Sequence, residues 1–204
     1  FSVLMNQAAE QLGMRNTHFV NASGWPDPGH VSTARDIALV SAALIQEFPE
    51  AYKMFQRRSF QWGGVEHANR NPLLDDNLGA DGLKTGHTEL GGYGLAGSAK
   101  QGTRRVVLVL NGMDSKLQRA KEGRRILDWA MRTFSTFAVV QDEPIVEHAR
   151  VWLGTRPYVP LKVSSGLTLT IRKADEHKLS AKVMYDGPVN APVKAGDVVG
   201  ELVI

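Results

Sequence analysis

The sequence of 204 residues contains no cysteine, which excludes disulfide bonds and thiolate metal sites. It also contains no apolar run approaching the ~20 residues that a membrane-spanning helix needs. Neither sign of charge dominates, because 24 basic and 21 acidic residues leave a formal net charge of only +3. The basic residues are scattered along the chain, so the sequence predicts no nucleic-acid partner.

Three pairs of adjacent arginines are the densest basic features: Arg57-Arg58, Arg104-Arg105 and Arg124-Arg125. We predict that they are solvated surface pairs, not a phosphate-binding track. The composition, 43% hydrophobic and 22% charged, is that of a globular protein and does not indicate disorder.

The first residues lack the features of a natural N-terminus. The chain enters an amphipathic helix at once, without an initiating methionine, a capping residue or a leader. We therefore expect a fragment of a longer protein. One face of this helix carries the apolar residues, and Gly13 is expected just beyond its end. The apolar residues are Phe1, Leu4, Met5, Ala8 and Leu12.

The segment Asp81–Thr88 stands out because it combines a cation, two hydroxyls, a histidine and two glycines. We predict that it is a strand and that residues 91–99 form the next one. Gly102 then turns the chain into the apolar run Val106–Leu110, which completes a hairpin. Because glycine weakens a strand, Gly82 and Gly86 indicate a bulge or the close approach of a ligand or second backbone.

Helices are predicted on both sides of this segment. One begins after Ser32 as N-cap, with Asp36 near its positive end and a buried face formed by Ile37, Val40 and Leu44. Another begins after Asp114-Ser115 and continues to about Phe134. The inward side chains of this second helix are predicted to be Ala120, Leu127, Ala130, Met131 and Phe134.

Short strands dominate the rest of the prediction. Ser59–Trp62 reads as a strand that turns at Gly63-Gly64, and Asn69–Leu74 as an irregular approach to the central segment. From about Ala138, residues 167–172 and 179–185 alternate strictly between polar and apolar, which indicates a small all-β sandwich or barrel-like unit. His148 and His177 are isolated in this region, so we predict no metal site and no cofactor.

Lysine, a hydroxyl residue and glycine on a strand edge resemble an arrangement of the penicillin-recognising serine hydrolases. In that arrangement Lys84 would supply positive potential and assist proton transfer, and the Thr85 hydroxyl would hold a substrate carboxylate. Gly86 would leave room for the acyl chain, and the backbone N–H of His87 would be an oxyanion donor. A solvated hairpin lysine is the alternative interpretation of the tripeptide alone.

A longer series of motifs resembles the D-alanyl-D-alanine carboxypeptidases, the low-molecular-mass penicillin-binding proteins. The series runs in one order through Met5-Asn6, Leu12–Met14, Thr17–Phe19, Gly24–His30, Ser32–Asp36, Asn69–Asn71, Asp81–Thr88 and the helix that carries Arg119 and Trp129. The resemblance implies an α+β fold in which an antiparallel sheet with helices, residues 1–136, precedes a β-rich domain, residues 137–204.

The same resemblance implies the reaction, which is removal of the terminal D-alanine of a peptidoglycan stem peptide through an acyl-enzyme that penicillins also form. Lys84 would be catalytic, and Lys84, Thr85, Gly86 and His87 would contact the substrate. Arg70 and Arg119 would help to hold the terminal carboxylate. From the residues alone, a solvated loop arginine is an equally good interpretation of Arg70. Arg119 taken alone is better interpreted as a charge on the helix surface.

The family's Ser-x-x-Lys nucleophile and its Ser-Gly-Asn motif have no counterpart in this chain. Ser32, Ser41, Ser98 and Ser115 all lack a lysine three residues later. We therefore predict that the chain alone is inactive and that a missing N-terminal segment completes the site. The alternatives are a non-catalytic cell-wall binding or scaffold protein, a DD-endopeptidase and a β-lactamase relative.

The partners implied by the resemblance are the D-Ala-D-Ala peptide and, as inhibitors, β-lactams. The implied location is the periplasm, at the outer face of the cytoplasmic membrane. Family members attach there through a C-terminal amphipathic helix, which this sequence does not show.

Overall fold

The fold is α+β, as the sequence predicts. The computed structural model describes residues 1–75, 77–139, 145–163 and 167–204. These residues divide into two compact units, Phe1–Met131 and Arg132–Ile204, each described below by itself. Among the described helices, none is both long enough and apolar enough to cross a membrane.

Among its described residues, the first unit contains two antiparallel sheets and four helices, the last of which ends two residues beyond Met131. The helices are α1 (Ser2–Gln11), α2 (Ala34–Glu47), α3 (Pro49–Tyr52) and α4 (Lys116–Thr133), with a 3₁₀ turn at Lys53–Gln56. Strands β1 (Ser59–Trp62) and β2 (Val65–Ala68) form a hairpin. Strands β3 (Ala80–Thr88), β4 (Gly92–Gln101) and β5 (Arg104–Met113) form the larger sheet in the order β3-β4-β5.

The hairpin predicted around Gly102 is present. Gly102 has a φ of 59° and lies in the turn that joins β4 to β5. Within the described residues, β3 pairs with β4 alone, so its other side is a sheet edge. Lys84 lies opposite Ala96 and Gly86 opposite Gly94. The register is irregular between Ala80 and Gly82, which is the bulge that Gly82 suggested.

The core of the first unit lies where α4 covers one face of the larger sheet. Its buried members are Leu73, Leu95, Ala99, Leu108, Leu127 and Met131. Helix and sheet approach closely because Gly123 has no side chain, and a Cβ there would lie 2.7 Å from Cδ2 of Leu95. Of the predicted inward residues of α4, Leu127 and Met131 are buried, and the helix ends one residue before Phe134.

Helix α2 differs from the prediction at two points. Its N-cap is Thr33 rather than Ser32, and the Thr33 hydroxyl accepts the Asp36 N–H at 3.2 Å. The residues that it buries are Asp36 and Ser41, so Val40 lies at the border of the inward face and is exposed. The Ser32 hydroxyl instead bonds the Thr17 hydroxyl at 2.8 Å.

Asp36 anchors the segment before α2 in addition to facing the helix dipole. Its Oδ2 accepts the Asn16 N–H and the Thr17 hydroxyl, both at 2.8 Å. Burial by itself raises the pKa of Asp36, but the bonds from Thr17 and Asn16 outweigh it and leave the pKa below its usual value.

The second unit consists mainly of short strands. They are β6 (Phe134–Ala138), β7 (Ile145–Trp152), β8 (Tyr158–Lys162), β9 (Thr168–Arg172), β10 (Lys182–Tyr185), β11 (Val189–Asn190) and β12 (Gly200–Val203). They pair as β6-β9, β11-β7-β8 and β10-β12, with a 3₁₀ turn at Lys173–Lys178. The predicted strands at 167–172 and 179–185 correspond to β9 and to a shorter β10.

Candidate active site

The segment Lys84–His87 forms an open edge rather than a packed wall. Lys84, Gly86 and His87 are exposed, and Thr85 is partly buried. A Cβ built on Gly86 would meet nothing within 4 Å. The edge therefore has open space beside Gly86, which an extended peptide lying along it would need.

The Lys84 ammonium is available to a ligand. Its Nζ donates to the backbone carbonyl of Thr85 at 2.5 Å, a contact that does not neutralise the charge. No carboxylate of the described residues forms an ion pair with it. A cation at an exposed strand edge can attract an anionic group and stabilise negative charge that develops nearby.

Arg119 lies behind the same edge and is buried, so the interpretation as a helix-surface charge is wrong. Its Nη1 donates to the carbonyl of Gly86 at 3.4 Å and its Nη2 to the carbonyl of Arg70 at 3.5 Å, both long contacts. The guanidinium lies over the Tyr93 ring at 5.6 Å from the centroid, and that ring lies 4.0 Å from the ring of His87.

The Arg119 guanidinium is short of partners. Its Nε is buried and finds no acceptor within the part of the chain that the structure describes. Burial lowers the pKa of Arg119, although Tyr93 acts in the opposite direction. Since buried polar groups in proteins are normally hydrogen-bonded, this shortage favours an anionic ligand beside Gly86.

Arg70 reaches this place through its backbone only. Its carbonyl accepts the long bond from Arg119, while its side chain is exposed. The asparagines on either side hold the loop in place: Asn71 N–H donates to Oδ1 of Asn69 at 2.9 Å, and Oδ1 of Asn71 accepts the Leu73 N–H at 3.1 Å. A role for the Arg70 side chain toward a carboxylate stays a prediction.

A cavity of about 600 Å³ continues from the edge. One wall is the loop Gly24–Pro28 with His30, and the other is Gly86–Thr88 with Gly94 and Asn111. The second unit contains a larger cavity, about 720 Å³, lined by valines and by Lys194 and Glu201 among others. Of the predicted site residues, Gly86 and His87 line the smaller cavity and none lines the larger one. Lys84, Thr85, Arg70 and Arg119 lie outside both linings.

Sequence reasoning missed a polar cluster at the start of β3. The Arg105 guanidinium grips the Asp81 carboxylate with Nη1 and Nη2 at 2.8 and 2.7 Å, and its Nη1 also donates to Oγ of Ser98 at 2.7 Å. The Tyr52 hydroxyl donates to Oδ1 of Asp81 at 2.6 Å. The hydrogen bonds to Asp81 raise the pKa of Arg105. Burial, together with the hydrogen bond from the Tyr52 hydroxyl to Asp81, raises the pKa of Tyr52 to about 12.

The prediction that Arg104-Arg105 is a solvated pair is therefore wrong. Successive strand residues point to opposite faces, so Arg105 reaches Asp81 while Arg104 donates to the carbonyls of Ala130 and Met131 at 2.6 and 3.1 Å. The available signal was Asp81 itself, an acidic residue entering a strand that becomes buried at Gly82 and Leu83.

The structure also gives a finding on metals. Among the described residues, no group of three or more His, Asp or Glu side chains is arranged to hold a metal ion.

Two family descriptions match the chain. Residues 1–115 match the D-alanyl-D-alanine carboxypeptidase family, and residues 134–204 match the penicillin-binding protein 5 C-terminal domain. The D-alanyl-D-alanine carboxypeptidase DacD of Escherichia coli (strain K12) is 37% identical over 204 residues, 99% of this chain and 53% of that protein. The chain thus spans about half the length of the curated relatives that it matches.

Solved structures agree with these matches. Penicillin binding protein 5 from Haemophilus influenzae has a TM-score of 0.90 at 32% identity, covering 99% of this chain and 60% of that one. Penicillin-Binding Protein D2 from Listeria monocytogenes, in its cefotaxime-bound form, has a TM-score of 0.58 at 34% identity, covering 62% of this chain and 53% of that one.

Proposed function

Because the chain belongs to the D-alanyl-D-alanine carboxypeptidase family, we propose that the complete protein removes the terminal D-alanine from peptidoglycan stem peptides and is acylated by penicillins. The observation that carries this proposal is the open edge Lys84–His87 backed by the under-bonded guanidinium of Arg119. An extended peptide that ends in a carboxylate fits both features, because it needs a strand edge to lie on and a cation at its end.

The proposed reaction has two steps. A serine hydroxyl attacks the carbonyl of the penultimate D-alanine, the peptide C–N bond breaks, and the terminal D-alanine leaves with the proton. Water then hydrolyses the acyl-serine ester and regenerates the hydroxyl. The chain has no serine with a lysine three residues later, so we place the nucleophile in a part of the protein outside these 204 residues.

Each residue of the edge has a different role in this proposal. Lys84 supplies positive charge beside the attacking hydroxyl, and the backbone N–H of His87 donates to the developing oxyanion. Thr85 and Arg119 hold the terminal carboxylate, with Arg70 at the loop that contacts Arg119. Gly86 keeps the groove open, since a side chain there would extend into the space that the substrate needs.

Location and domain roles are part of the same proposal. A substrate in the cell wall requires the protein to act at the outer face of the cytoplasmic membrane, in the periplasm. We assign residues 1–136 to the catalytic domain and residues 137–204 to the β-rich domain. The bound cefotaxime of the Listeria monocytogenes protein supports the expectation that β-lactams acylate this one.

The test compares the complete protein with the 204-residue chain. We expect the complete protein to be labelled by a fluorescent penicillin and to release D-alanine from a peptide that ends in D-Ala-D-Ala. The 204-residue chain should take up no label. A complete protein that is folded yet neither labelled nor active would overturn the proposal and leave a non-catalytic cell-wall protein as the better description.

A further inference from the structure

The polar cluster at the start of β3 lies at the irregular point in the pairing of β3 with β4. Residue Asp81 falls within the bulge, between the pairs Ala80–Ala99 and Gly82–Ser98, and so has no partner of its own in the ladder. A slip of one residue in a strand turns every side chain to the opposite face. In β3, that slip would move Lys84 from one face of the sheet to the other.

The cluster ties all three strands of the sheet together on one face. The Arg105 side chain extends from β5 across β4. It donates one hydrogen bond to Ser98 on β4 and two to the Asp81 carboxylate on β3. Ser98 is fully buried, and the Asp81 and Arg105 side chains are 17% and 25% exposed. A bidentate pair in this setting has one preferred geometry, which a shifted Asp81 could not satisfy.

Tyr52 closes the cluster from α3. Its hydroxyl bonds Asp81, and its ring lies 5.3 Å from Cζ of Arg105. The phenol also lies directly over Gly82, where a Cβ would come within 2.5 Å of the Tyr52 oxygen. The strand is therefore held at Asp81 by charge and at Gly82 by contact, just before Lys84 begins the open edge.

We propose that Tyr52, Asp81, Ser98 and Arg105 form a register anchor that positions Lys84, Thr85 and Gly86 for reaction. These four residues are positioning residues, since they act through the strand and do not contact substrate. The proposal rests on the proposed function for its activity readout, but its central claim concerns the register of β3.

The experiment measures acylation of the complete protein by a fluorescent penicillin, recording both the rate constant and the final labelled fraction. A residue that only supports folding lowers the labelled fraction and leaves the rate constant of the folded molecules unchanged. A positioning residue lowers the rate constant while the labelled fraction stays near that of the wild type.

For Asp81→Asn we expect a rate constant lower by about ten- to a hundredfold, the size of effect caused by a misplacement of ~1 Å. Tyr52→Phe removes one oxygen and keeps the ring, so we expect a fall of about fivefold, as for one lost hydrogen bond. Arg104→Gln is the matched control. It removes the neighbouring guanidinium, which bonds the end of α4, and its rate constant should stay within about twofold of wild type.

Rate constants within twofold of wild type for folded Asp81→Asn and Tyr52→Phe would overturn the anchor, as would losses confined to the labelled fraction. If Asp81→Asn does not fold, Tyr52→Phe decides alone. Hydrogen exchange of the amides of residues 82–88 needs no reaction and is the second readout. We expect at least about tenfold faster exchange in Asp81→Asn, and unchanged exchange would also overturn the proposal.

The two proposals can fail separately. A folded wild-type protein that takes up no penicillin would overturn the proposed function, while the exchange measurement would still decide whether the cluster holds β3 in register.

Discussion

The two halves of β3 differ in almost every physical property, although they belong to one strand of nine residues. In the first half, Asp81–Leu83, Gly82 and Leu83 are buried and Asp81 is held by Arg105 and Tyr52. In the second half, Lys84–His87, three of the four residues are exposed. The contrast teaches that a strand edge can be left exposed when side-chain contacts hold the same strand immediately before it.

Lys84→Ala should give the largest effect on activity and little effect on stability. We expect acylation of the complete protein to fall by about 10²- to 10³-fold, because the edge loses its cation. The free energy of unfolding should change by no more than about 0.5 kcal/mol, because the side chain is exposed. Urea denaturation and penicillin labelling give the two numbers. Unchanged labelling would show that Lys84 does not belong to the site and that the exposed half of β3 takes no part in acylation.

Arg119→Lys tests whether the second half of β3 relies on the geometry of the guanidinium as well as on its charge. Lysine keeps the charge but cannot form the planar fork, so we expect kcat/KM for a D-Ala-D-Ala peptide to fall by about tenfold or more. Arg125→Lys is the control on the same helix, since Arg125 is exposed and pairs with Glu122 at 2.8 Å. Equal effects of both substitutions would argue against carboxylate binding by Arg119.

Gly82→Ala and Gly86→Ala place the same methyl group in the two halves. At Gly82 the methyl meets the Tyr52 hydroxyl, and we expect a loss of about 1–3 kcal/mol in the free energy of unfolding. At Gly86 it enters open space, so stability should stay within about 0.5 kcal/mol while acylation slows. Thermal or urea unfolding of both variants, together with penicillin labelling, tests this prediction. Equal changes in the free energy of unfolding of Gly82→Ala and Gly86→Ala would contradict it.

His87→Ala should give the smallest effect on activity. The proposed contribution of His87 is its backbone N–H, which alanine retains, so we expect labelling to slow by less than about fivefold. The lost contact of its ring with Tyr93 accounts for the remainder. A fall as large as that of Lys84→Ala would show that the imidazole itself takes part in the reaction.

The hairpin strands of the larger sheet could be predicted from local pattern, while the polar cluster of Tyr52, Asp81, Ser98 and Arg105 could not. The hairpin at Gly102 and the strand at Asp81–Thr88 follow from turn residues and alternation, which depend on neighbours in sequence. The bond between Arg105 and Asp81 joins residues separated by 24 positions, and nothing in either local pattern specifies that partner. The same pattern made Arg104-Arg105 resemble a solvated pair.

The sequence predicted the strand edge of the candidate site but not the burial of Arg119 behind it. The motif around Lys84 identified the edge, and the resemblance identified the family, which the comparisons confirm. Local pattern placed Arg119 on the helix surface because α4 carries charges on several sides, and only packing against the sheet shows which of them is buried. The roles of all six predicted site residues toward a substrate stay predictions: Lys84, Thr85, Gly86, His87, Arg70 and Arg119.

Gly123 determines how far Arg119 can reach. The two residues are one turn apart on the same side of α4, so a helix pushed outward at one position also moves the other. A methyl group at Gly123 would press on Leu95, which is buried and has little room to retreat. If Arg119 binds a terminal carboxylate as proposed, that contact depends on the absence of a side chain at Gly123, one helical turn away.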